Sequence, residues 1–190
     1  MLAEALQSAY YALWSAQTVE LRSAFAEELG RCAEELRDPA LRRQALRLEF
    51  PVCVEQGDLA RAQDVLERAQ GMAAELGEQP YMKWVDASQT AGLRLLRGDL
   101  AAGERLAERA FQLGQAAGQP DALLFYGAHM FLLRLFQGRG EEIIALLEQS
   151  VQANPAVPAL RAGLASSLCW LDRRAEATVI LEKAASDRFE

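Results

Sequence analysis

The string Gly57-Asp58-Leu59-Ala60 recurs as Gly98-Asp99-Leu100-Ala101, 41 residues further on, and Glu67-Arg68-Ala69 recurs at the same offset as Glu108-Arg109-Ala110. A period of this size constrains a chain more than any single residue, because each copy must be one supersecondary unit that buries its apolar face against the next. Between the matching strings, Ala62, Val65, Leu66, Ala69, Met72, Ala73 and Leu76 fall on Gly103, Leu106, Ala107, Ala110, Leu113, Gly114 and Ala117. In both copies this is one stripe of apolar or small residues at helical spacing, with Asp64, Glu67, Arg68, Glu104, Arg105, Glu108 and Arg109 on the other face.

Prolines mark the same period. Pro39, Pro80, Pro120 and Pro155 stand 41, 40 and 35 residues apart, each where one helix must end before the next begins. A second set of breaks, at Gly57, Gly98, Gly138 and around Asp172, divides each unit into two helices. Composition agrees, with 35 Ala and 30 Leu against only 14 Val, Ile and Thr together, which favours helix over strand.

The pattern predicts helices over 2–15, 18–36, 40–56, 59–76, 81–97, 100–117, 121–137, 140–153, 157–171 and 174–186. These form five hairpins, 1–38, 39–79, 80–119, 120–154 and 155–190, within one all-α domain. Neighbouring hairpins are expected to stack into a right-handed α-α superhelix, a solenoid with one concave and one convex surface. Pro51, inside the 40–56 helix, predicts a kink or an early end there. Both terminal helices begin or end with apolar side chains, Leu2, Leu6, Tyr10 and Leu13 at one end and Val179, Ile180 and Leu181 at the other. The expectation is a fragment of a longer array, whose uncovered end helices fray or pair end to end as a homodimer.

These residues resemble the tetratricopeptide (TPR) repeats. Gly57, Ala62 and Ala69 fit that family's second helix, as do Gly98, Gly103 and Ala110; Gly138, Leu147, Ser150 and Pro155 fit a third copy apart from Ile143, and the last unit carries Leu164, Ala165, Ala177 and Ala184. The longer pitch resembles the variety found in bacterial transcription regulators related to the maltose activator. Gln79-Pro80-Tyr81 with Trp84, Gly118-Gln119-Pro120-Asp121-Ala122, Tyr126-Gly127, Gln137-Gly138-Arg139 and Pro158-Ala159-Leu160-Arg161-Ala162 are similar to the region that follows the ATPase in actinobacterial multidomain regulators. Such regulators also carry a nucleotide-cyclase or helix-turn-helix domain. The preference for Arg (18) over Lys (2) suits a GC-rich genome of that kind. The resemblance implies that the first helix of each hairpin lines the concave groove. In that register Gln44, Arg47, Val54, Val85, Ser88, Phe125, Ala128, Ala162 and Ser166 face it. With Trp84 and His129 beside them, the candidate binding set is Gln44, Arg47, Trp84, Val85, Ser88, Phe125 and His129.

Catalytic signatures are sparse. There is no Gly-Lys dipeptide for a phosphate loop, and Gly138-Arg139-Gly140 lacks the third glycine of a dinucleotide fingerprint, since Ile143 stands there. One histidine, His129, excludes paired-imidazole metal sites, and Cys32, Cys53 and Cys169 are too widely spaced for zinc or a disulfide framework. They read as buried structural thiols, and His129 as a partly buried ring bonded to a neighbour. Glu27-Glu28, Glu34-Glu35 and Glu141-Glu142 are adjacent on helices and diverge by about 100°, so they do not form acid and base partners. The aromatic residues Tyr10, Tyr11, Trp14, Tyr81, Trp84, Phe125, Tyr126, Phe131 and Phe136 read mostly as core between repeats. No catalytic residue, cofactor or metal is expected.

A chain of 190 residues buries enough surface to fold unaided, exposing roughly 9,000 Å² against roughly 30,000 Å² when open. Hydrophobic residues at 51% and charged ones at 25% are outside the range of disorder. The net charge of −7 speaks against a general nucleic-acid backbone binder. The longest apolar stretch, Ala122 to Leu133, is too short to span a bilayer, and Glu4 interrupts any secretory leader, so a soluble cytoplasmic protein is expected. The functional expectation is a non-catalytic interaction or regulatory module that contacts other domains of a parent regulator or a partner chain. Its alternative is a sensor that binds a small-molecule or peptide effector in the groove. Nothing points to direct nucleic-acid or membrane partners.

Overall fold

The computed structural model describes residues 1–77, 79–155 and 157–186. Residues 78, 156 and 187–190, which fall within the second, fifth and again the fifth expected hairpins, lie outside the described residues. Every regular element among the described residues is helical. In order these are α1 (Leu2–Ala12), a 3-10 turn (Ala16–Thr18), α2 (Val19–Leu36), α3 (Pro39–Glu55), α4 (Leu59–Gly71), α5 (Ala73–Leu76), α6 (Pro80–Leu96), α7 (Leu100–Ala116), α8 (Ala122–Phe136), α9 (Glu141–Ala153), α10 (Pro158–Trp170) and α11 (Arg174–Ser186).

The repeated Gly-Asp strings fold into the same joint twice. Gly57 and Gly98 adopt left-handed φ angles of 77° and 80°, which cost glycine nothing. Each joint satisfies the last carbonyls of its helix in the same way: Gly57 N bonds Val54 O (3.1 Å) and Asp58 N bonds Cys53 O (2.9 Å), while Gly98 N bonds Leu95 O (3.0 Å) and Asp99 N bonds Arg94 O (3.0 Å). The aspartate then opens the next helix, Asp58 Oδ1 accepting from Arg61 N at 2.9 Å and Asp99 Oδ1 from Ala102 N at 3.2 Å. Gly138 (φ 69°) and Asp172 (φ 58°) make the same reversal without an aspartate cap, because Arg139 and Arg173 follow them.

Three boundaries depart from expectation. The 59–76 helix divides at Met72 into α4 and α5, directly after Gly71, whose missing side chain weakens the helix there. The first helix stops at Ala12 instead of running to 15, and the Thr18 hydroxyl donates back to the Ser15 carbonyl at 3.0 Å in the turn that follows. Pro51 does not end its helix: α3 continues to Glu55. Burial of Phe50, Val52 and Cys53 around the proline outweighs the one ladder bond it removes.

Packing proceeds from each helix to its neighbours in sequence, and α6 also touches α4 and α8. Three separate apolar clusters result, one joining α1, α2 and α3 (Tyr10, Leu29, Leu48), one joining α3, α4 and α6 (Leu46, Val65, Leu93), and one joining α9, α10 and α11 (Ile144, Leu168, Ala177). The accessible surface of 11104 Å² exceeds the roughly 9,000 Å² of a compact chain of this mass, in keeping with several small cores in place of one.

Polar pairs tie successive hairpins. Arg43 and Asp86, 2% and 7% exposed, pair at 2.5 Å between α3 and α6. Burial raises the Asp86 carboxyl above its ordinary range despite the facing Arg43, so this pair costs desolvation and fixes register more than it adds stability. Gln70 Nε2 donates to Thr90 Oγ1 at 3.0 Å between α4 and α6, and Arg134 of α8 meets Glu104 of α7 at 3.0 Å.

Candidate binding cleft

A cavity of about 480 Å³ opens along the first helix of four consecutive hairpins. Tyr10 and Tyr11 of α1 line it, with Trp14 just beyond; α3 contributes Arg47, Leu48, Phe50, Pro51 and Val54; α6 contributes Tyr81, Trp84, Val85, Ser88, Gln89 and Gly92; α8 contributes Phe125 and His129. The volume lies within the roughly 300–1,000 Å³ of small-molecule sites, and the lining mixes aromatic and aliphatic side chains with a few polar atoms.

One wall is set by Arg22, which is fully buried. Its Nη1 and Nη2 donate to the two Glu55 carboxylate oxygens at 2.9 and 2.5 Å, and Nη2 also donates to the Ser15 carbonyl at 3.1 Å. The guanidinium carbon lies 5.0 Å from the Trp14 ring centre and 5.5 Å from that of Tyr10. Tyr10 in turn donates its hydroxyl to the Leu48 carbonyl at 2.7 Å, and burial pushes that phenol up to about 12. An ion pair between α2 and α3 thus seats the aromatic residues of α1 against α3.

Opposite helices meet through rings and a histidine. Trp84, 4% exposed, packs edge to face on Phe125 at 5.2 Å and beside Tyr81 at 5.7 Å. Burial lowers the His129 pKa below 6.5, against the smaller raising effect of its hydrogen bond to the Ser88 backbone carbonyl. Its Nδ1 is buried without a partner. A Cβ on Gly92 would stand 3.4 Å from His129 Nε2, an ordinary van der Waals contact. Ser88 Oγ, also buried, has no partner.

Arg47 and Asp121 are the two charged side chains of the lining, and Asp121 is solvent-exposed. Arg47 lies over Tyr81, its guanidinium carbon 5.4 Å from the ring centre. Its Nη1 donates weakly to Met82 Sδ at 3.2 Å and to Gln44 Oε1 at 3.5 Å, and its Nε is buried without an acceptor.

Of the seven expected binding residues, the structure brings Arg47, Trp84, Val85, Ser88, Phe125 and His129 to this cavity. Gln44 stands outside the lining and supports Arg47 instead. Val54 lines the cavity as the register predicts, whereas Ala128, Ala162 and Ser166 do not. The aromatic residues are not mainly core: Tyr10 and Trp84 are buried, but Tyr11, Trp14, Tyr81, Phe125 and Phe136 are exposed. Rings that line an open cleft reach solvent, and the spacing of large apolar residues alone does not distinguish this from a closed core. Nor are all the thiols buried; Cys53 is, Cys32 is half-buried and Cys169 is exposed. Burial raises the Cys53 thiol and keeps it protonated. Sequence reasoning missed Tyr10, Tyr11, Trp14, Tyr81, Gln89, Gln119 and Asp121, among others, as lining residues. Of these, the aromatic pair of α1 carried a usable signal, since it sits on a first helix like Trp84.

Among the described residues, no three side chains of the metal-ligating kinds converge, and no helix is long and apolar enough to cross a membrane. The arrangement offers ring faces, one cation and neutral hydrogen-bonding atoms, which suits binding. Comparisons with protein-family models, with curated proteins and with solved structures each return no match for this chain.

Proposed function

We propose that the chain is a non-catalytic, TPR-like regulatory module of a bacterial signalling or transcription-regulator protein. In this reading its hairpins stack as a right-handed superhelix, and a partner or effector addresses it through the cleft. The supporting observation is that first helices from four hairpins, α1, α3, α6 and α8, line one cavity to which α2, α4 and α7 contribute nothing. Such a surface exists only where hairpins stand side by side, so an occupant that bridges them would bias their relative angles. Native mass spectrometry of the purified chain tests the reading. A retained mass that leaves on denaturation, and that is lost on Arg47→Glu or Phe125→Ala, supports it; partner or effector binding indifferent to both substitutions argues against the cleft.

Contact with a protein partner outside the cleft is the second reading. It is favoured by exposed apolar side chains on the later helices, Leu123 and Leu124 of α8, Trp170 of α10, and Val179 and Leu181 of α11, with Trp170 69% exposed. Sedimentation of the wild type and of Trp170→Ser with Leu181→Ser separates the two, since self-association through these helices disappears in the double variant while cleft binding persists.

A further inference from the structure

Resting on the cleft reading, we propose that the small molecule this site accepts is a monoanionic aromatic carboxylate, its ring among Tyr81, Trp84 and Phe125 and its carboxylate on Arg47. The charge argument comes from α3. Of its three arginines, Arg42 pairs with Glu34 at 3.4 Å and Arg43 with Asp86 at 2.5 Å, but Arg47 forms no ion pair among the described residues and reaches the Asp86 carboxylate only through its longer-range field. Its acceptors are a thioether sulfur and a glutamine oxygen at the limit of hydrogen bonding, both on Nη1. The Nε–H has no acceptor at all. Nε and Nη2 form the side-on edge of a guanidinium, the fork that fits the two oxygens of a carboxylate, and stacking on Tyr81 at 5.4 Å holds its plane.

One cation that forms no ion pair among the described residues selects a single negative charge. A phosphate dianion would leave one charge unmatched by Arg47, and Asp121, the other charged group of the lining, opposes a second anionic centre. The remaining lining selects an aromatic ring over an alkyl chain. Tyr81, Trp84 and Phe125 already pack edge to face and tilted at 5.2 to 5.7 Å, an arrangement a further ring extends at favourable quadrupole geometry.

The test uses 2-naphthoate and its neutral isostere 2-naphthamide, titrated calorimetrically into the full chain. The acid is expected to bind at least about tenfold tighter than the amide, the range of a charge-assisted hydrogen bond. Arg47→Gln should abolish that preference, and Arg47→Lys should restore part of it. Equal affinities for acid and amide in the wild type overturn the proposal without recourse to any variant. So does a preference that survives Arg47→Gln, and so does failure of both probes to bind. In that last case a natural partner lost on Phe125→Ala would leave the cleft as the module's binding surface and remove only the aromatic acid.

Discussion

Gly114 and Trp84 occupy one space: a Cβ on Gly114 would stand 2.8 Å from the indole Cδ1 and Nε1, and 2.6 Å from the Cβ of Ala122. The glycine of α7 is therefore what lets the buried indole of α6 lie flat beneath the start of α8. Gly114→Ala gains up to about 1 kcal/mol of helix propensity but forces the ring or α8 to move, at about 1–3 kcal/mol. The net expectation is a loss of about 1–2 kcal/mol, read as a fall of roughly 2–8 °C in Tm. A variant as stable as the wild type would mean that the α7–α8 joint yields freely.

Arg22 and Glu55 should not behave as a surface pair. Removing the acid by Glu55→Gln leaves a fully buried guanidinium without an anion, and a loss of about 3 kcal/mol in urea unfolding is expected. Arg22→Met combined with Glu55→Gln should recover a large part of that loss. If the single and double changes are additive, the pair is not coupled and the α1 aromatics are held by packing alone.

The two aspartate caps provide an internal control. Asp58→Ala and Asp99→Ala each remove one bond to the third residue beyond, in nearly the same geometry, so each should cost about 1 kcal/mol. Arg97 Nη2, beside the second joint, donates to the Leu59 carbonyl of the first at 2.7 Å, so a departure of the double variant from the sum measures the coupling between the joints. Unequal costs in chemical denaturation would show that the repeated string has been assimilated differently into its two surroundings.

His129 gives the chain a pH dependence of known sign. Burial depresses its folded pKa below the ordinary 6.5. As pH falls, the unfolded chain takes up this proton first, so the stability associated with the neutral ring is present above about pH 6.5 and is lost on acidification toward the folded value. Thermal unfolding of the wild type and of His129→Gln across about pH 8 to 5 should show the wild type losing ground on the acid side. Parallel profiles would mean the ring titrates alike in both states.

The joints were legible because their chemistry is local. Gly57 and Gly98 take a backbone angle other residues resist, Asp58 and Asp99 cap from three residues away, and the prolines open helices. The break at Met72 was legible in principle from Gly71, but a helical stripe running through 76 concealed it. Within the cleft, Arg47, Trp84, Val85, Ser88, Phe125 and His129 could be placed because register along a first helix is periodic. What escaped was long-range. The place of α1 in the wall depends on Arg22 meeting Glu55, 33 residues away, and Arg43 meets Asp86 43 residues on. Neither pairing leaves a trace in spacing.

Pro51 makes α3 a notched rod. A proline in a helix interior has no N–H for the carbonyl four residues back, which here belongs to Arg47, and both residues line the cleft. A notched rod bends at its notch, so the compliant point of α3 coincides with the cation of the cleft. Strain entering this helix from either end is thereby focused on the side chain that meets an occupant, and an occupant's pull on Arg47 acts where the helix resists least.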